Sequence, residues 1–101
     1  MKSALAIQCL PLVQAGKKEI YGMVDKAIAV IEESGLPYTV GPMETVIEGP
    51  IEQLLEIAGR AHQAVVDAGS PGVASYLKLF SSPDLGSSEE KTQKYRQTGH
   101  Y

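Results

Sequence analysis

One hundred and one residues of 10.8 kDa make one domain, long enough to close a single hydrophobic core and too short for two. With 44% hydrophobic residues, 21% charged residues and one cysteine, the composition excludes a disordered chain, a disulfide scaffold and a cysteine-rich zinc module. Nine basic against 12 acidic residues give a net charge of −3, which carries no nucleic-acid footprint.

Ser3 to Leu10 alternates loosely and reads as a first strand, with Pro11 ending the pairing because it has no N–H to donate. Gln8 interrupts this apolar run, so it is read as a strand and not as a signal peptide. No apolar stretch approaches the roughly 18 residues of a membrane span. The expected location is the reducing cytoplasm, with neither membrane nor nucleic acid as a partner, and Cys9 is expected as a small core hydrophobe.

From Lys17 to Ser34, the residues Ile20, Val24, Ala27, Ile28 and Ile31 fall on one stripe of an amphipathic helix. Gly35 supplies its left-handed ending and Pro37 forbids continuation. Tyr38 to Val40 is a short second strand, Gly41-Pro42 a turn, and Glu44 to Glu48 a third strand, together a hairpin. Gly49-Pro50 opens a second helix with proline in its first turn, and Leu54, Leu55, Ala58, Ala61, His62 and Val65 form its inner stripe. Gly69 ends that helix, and Val73 to Phe80 is a fourth strand. Residues 1–83 form the domain proper. The tail, residues 84–101, holds a capping-box pattern at Ser87 and Glu90 that predicts a short terminal helix through Arg96.

An offset of 34 residues places Ala27 on Ala61, Ile31 on Val65, Gly35 on Gly69 and Pro37 on Pro71, so the two halves share one helix-ending pattern. The order βαββαβ with this repeat predicts an α+β, ferredoxin-like fold: a four-stranded antiparallel sheet with both helices on one face. The same offset puts His62 where the first half has Ile28, which favours a core-face histidine over a ligand or base. No second His, Cys or carboxylate stands at metal-ligand spacing. Strand alternation assigns Leu5, Ile7, Cys9, Ile47, Val73, Leu77 and Leu79 to the helix side. The outer face then carries Ala4, Ala6, Gln8, Val46, Glu48, Tyr76, Lys78 and Phe80, too apolar a surface to stay wet. A homo-oligomer is the expected remedy, with Lys78 the candidate partner for Glu48 inside the interface.

Dinucleotide, P-loop, HExxH, CxxC and nucleophile-elbow patterns are all missing, and the serines sit at caps and turns where hydrogen bonding explains them. No catalytic residue, metal or cofactor is expected. The stretch from Ser34 to Gly49 is more specific: Ser34, Gly35, Tyr38, Pro42, Met43, Thr45, Ile47, Glu48 and Gly49 follow one another in an order that resembles the small thiamine-binding protein family. Glu44 departs from it, standing where that family usually has Gly, and so does the Lys78-Leu79-Phe80-Ser81 ending of the fourth strand.

The resemblance implies a ferredoxin-like fold, dimers or tetramers, and non-catalytic binding of thiamine or its hydroxymethylpyrimidine moiety in vitamin salvage, sensing or buffering. On these residues Glu48 would accept from an exocyclic amine or balance a thiazolium charge, and Thr45 would offer a hydroxyl. Tyr38 and Met43 would form the ring wall. Each has a plainer account: Tyr38 and Met43 as core or interface filler, Thr45 as an ordinary strand residue, Gly49 as the turn into the helix. The competing function is a structural or regulatory homo-oligomer without a small-molecule ligand.

Overall fold

A computed structural model describes residues 1–83 of the chain. Along it run β1 (Lys2–Pro11), α1 (Lys17–Glu33), β2 (Tyr38–Val40), β3 (Thr45–Gly49), α2 (Ile51–Asp67) and β4 (Val73–Ser82). The helix expected from Ser87 to Arg96 lies outside the described residues. The sheet order is β2-β3-β1-β4 with every neighbour antiparallel, which is the expected βαββαβ topology.

Both helices end as the glycines require, with Gly35 at φ 76° and Gly69 at φ 108°, a region that costs an L side chain about 1–2 kcal/mol. Pro50 sits one place earlier than expected: it is the extended N-cap of α2, and Ile51 is the first helical residue. The β2–β3 turn closes by a bond from the Gly41 N–H to the Glu44 carbonyl, 2.9 Å long. A Cβ on Gly41 would meet that same oxygen at 2.9 Å, so the turn needs the glycine for space.

The core lies between one sheet face and the two helices. Leu5, Ile7, Cys9 and Ile47 from the sheet pack against Ala27 and Ile31 of α1 and Leu54, Ile57, Ala58, Ala61 and Val65 of α2. Ala27 and Ala61, paired by the internal repeat, are both buried, and their small side chains let the helices approach closely. Two corrections to the stripe of α2 follow. Leu55 is 50% exposed and Ile57 takes the core position instead. Offsets of 3, 4, 7 and 11 from Leu54 give Ile57, Ala58, Ala61 and Val65, whereas Leu55 is rotated about 100° off that line.

The registers Leu5↔Ile47, Leu5↔Leu79 and Ile7↔Leu77 put these residues on the helix side, as the alternation requires. Their burial differs: Leu77 is 49% and Leu79 45% exposed, because the helices sit over β1 and β3 and leave the far half of β4 uncovered. The outer face carries Ala4 with Glu48 and Phe80 beside it, and Ala6 with Val46 and Lys78. Within the single chain, Lys78 Nζ lies 3.5 Å from the Glu44 carboxylate on the outer face.

Candidate functional site

α1 is buried at only two positions, Ala27 and Ile31. The other members of its stripe, Ile20, Val24 and Ile28, are half-buried because they border a cavity and do not meet the sheet. This cavity, about 280 Å³, lies between α1, the end of β1 and the β2–β3 turn. Its walls are chiefly aliphatic, with Tyr21 and Met43 at exposed positions and Cys9 and Thr45 at buried ones. Glu44 is the single carboxylate among the lining residues, which include no Lys, Arg or His.

Thr45 faces Val40 and Ile7 across the sheet and is 6% exposed. Ser3 and Ser70, the other buried polar residues described, bond Ser81 and the Gly72 carbonyl, both through their hydroxyls. The Thr45 hydroxyl has no hydrogen-bond partner among the described residues, yet it is not sealed from solvent. Water reaches that hydroxyl from the cavity, and a polar ligand atom in the cavity would take the water's place.

Behind Cys9 runs a polar chain. Ser75 Oγ donates to Cys9 Sγ at 3.4 Å, and His62 Nδ1 lies 2.6 Å from the same oxygen. With the single Ser75 proton given to sulfur, Nδ1 of His62 is the donor of the second bond. His62 is thus the half-buried, core-facing residue that the repeat implies, satisfied by Ser75. Burial pushes the Cys9 thiol above its ordinary 9.0, and the Ser75 bond offsets part of that rise.

Of the four residues singled out from sequence, Met43 and Thr45 line the cavity. Tyr38 pairs with Ile47 and so shares the helix-side face, but it is not among the cavity walls. Glu48 pairs with Ala4 on the outer face, its N–H donating to the Pro37 carbonyl at 3.0 Å. The four therefore do not form one constellation. Sequence reasoning missed Tyr21, which adjoins the stripe residue Ile20; Glu44, the departure expected to reshape the pocket rim, is among the lining residues. Among the described residues no cluster of His, Cys, Asp and Glu could hold a metal, and no helix is long and apolar enough to cross a membrane.

The profile of the thiamine-binding protein family matches residues 5–96. The chain belongs to that family. A UPF0045 protein of Clostridium perfringens is 37% identical over 92 residues, covering 91% of this chain and 95% of its own. A solved structure from Bacillus cereus, described as a domain of unknown function, is 41% identical with a TM-score of 0.79 over 96% of this chain and 92% of the other. A Thermotoga maritima structure, provisionally named for thiamine biosynthesis or salvage, is 25% identical with a TM-score of 0.79 over 95% of this chain and all of the other.

Proposed function

We propose that this protein is a non-catalytic binder of thiamine or its hydroxymethylpyrimidine moiety, serving vitamin salvage, sensing or buffering. The supporting observation is a chiefly aliphatic cavity whose wall includes Thr45, a residue only 6% exposed whose hydroxyl solvent still reaches. At about 280 Å³ the cavity is near the lower end of the ~300–1,000 Å³ usual for ligand pockets, a size suited to one substituted ring. An aminopyrimidine seated there would exchange a hydrogen bond with Thr45 and stack its faces between Tyr21 and the Met43 thioether. The cationic thiazolium would remain at the open rim, in water, since the one carboxylate among the lining residues, that of Glu44, already faces Lys78 on the outer face. Glu48 on the outer face suits subunit association instead. In this reading the working form is a homo-oligomer whose subunits cover each other's outer sheet faces.

Titration calorimetry with thiamine and with hydroxymethylpyrimidine tests the ligand. The parent protein should bind at least one of them. Thr45→Val keeps the shape and removes the hydroxyl, so affinity should fall by about 0.5–1.5 kcal/mol, or roughly 2- to 12-fold. Unchanged affinity in the variant would remove Thr45 from the site. No heat with either compound in the parent would favour the ligand-free structural oligomer.

A further inference from the structure

α1 begins weakly. Its N-cap is Gly16, which has no side chain to accept from the first-turn N–H groups, and its first helical bond runs from the Ile20 N–H to the Gly16 carbonyl at 3.1 Å. Lys17 and Lys18 stand at the positive end of the helix dipole, with Glu19 offsetting one of them. Gly22 comes next. A Cβ there would meet nothing within 4 Å, so packing does not require the glycine, and it weakens the helix about four- to fivefold relative to alanine. None of residues 17–26 is buried, and the first anchor of α1 is Ala27. α2 differs, being seated from Leu54 in its first turn.

The cavity wall divides at the same place. Ile20, Tyr21 and Val24 precede the first anchor, while Ala27, Ile28 and Ile31 lie at it or beyond. On the sheet side Cys9 lines the cavity at 9% exposure, so the closed form shows little of its side chain to solvent. We infer that residues 17–24 are the gate of the cavity: their turns unwind reversibly while the helix from Ala27 onward stays on the sheet, and a guest enters through the gap left by Ile20, Tyr21 and Val24. Unwinding there costs little, because half-buried and exposed side chains give up less apolar burial than anchors do. The same loss from α2 would pull Leu54 and Ile57 out of the core. The gate concerns access, whatever guest the cavity holds, so its test needs no ligand and its failure leaves the proposed function standing.

Cys9, the chain's one cysteine, reports the opening. Its thiolate displaces a coloured thiopyridone from dithiodipyridine, and the rate is followed on the unliganded protein at one pH, where it rises in proportion to reagent. Gly22→Ala should slow labelling about four- to fivefold. Gly16→Asp, which supplies the missing cap at another position with open space around it, should slow it in the same direction. Gly59→Ala is the control, since Gly59 lies exposed in the middle of α2 and a Cβ there likewise meets nothing within 4 Å. It should strengthen its own helix by the same factor and leave the labelling rate unchanged. Equal slowing in Gly22→Ala and Gly59→Ala would route labelling through global unfolding and overturn the gate. An unchanged rate in Gly22→Ala would overturn it too, because the sulfur would then be reached without unwinding α1.

Discussion

Cys9 and His62 show how one serine settles the roles of two reactive side chains. Ser75 stands between them, so the imidazole is spent on the Ser75 hydroxyl and the thiol is held as a hydrogen-bonded core group. His62→Leu should therefore leave ligand affinity intact and cost about 1 kcal/mol of stability, chiefly by stranding the half-buried Ser75 hydroxyl. A large loss of binding in a protein with native circular dichroism would return His62 to the site. Cys9 carries a pH dependence. Its folded thiol holds the proton more tightly than the unfolded thiol does, so its stabilisation is complete below about pH 9 and is lost as pH rises through the folded value. Melting temperatures followed from pH 8 upward should decline less steeply in Cys9→Ala than in the parent. Equal slopes would assign the alkaline loss to other groups.

Helical periodicity carried most of the element scale, and the exceptions have geometric causes. The stripe of α2 runs through Leu54, Ile57, Ala58, Ala61 and Val65; Leu55 was drawn into it by hydrophobicity and not by angle. Leu54→Ala should cost about 2–5 kcal/mol and Leu55→Ala under about 1 kcal/mol in denaturant melts, a contrast that a misplaced helix face would erase. In α1 the stripe was read correctly yet gave no hint of the cavity, since Ile20, Val24 and Ile28 keep helical spacing whether they meet a sheet or an empty space. Strand alternation likewise placed Leu77 and Leu79 on the right face. It could not show that two helices are too narrow to cover four strands. Of the candidate site, Met43 and Thr45 reach the cavity, while Glu48, grouped with them through the family resemblance, lies on the outer face where strand alternation puts it.

At the scale of the molecule, the outer sheet face governs association in the proposed reading. Ala6 sits in its middle, between Val46 and Lys78, where a carboxylate would be driven into any stacked interface. Ala6→Glu should lower the particle mass by light scattering behind a sizing column, and an unchanged mass would exclude stacking on that face. The family's name and the antiparallel βαββαβ sheet were both legible in advance, from the run of residues between Ser34 and Gly49 and from the two glycine-ended helices.

The unequal seating of the two helices has a consequence for exchange with solvent. α2 is anchored by five buried side chains and α1 by two, so α1 and the turn facing it form the less protected cooperative unit. Its amides should exchange through openings that leave α2 on the sheet. The cavity lies under that same helix, so any guest must hold α1 down as it binds, and its affinity will be written in slowed amide exchange along one helix while the rest of the molecule keeps its rates.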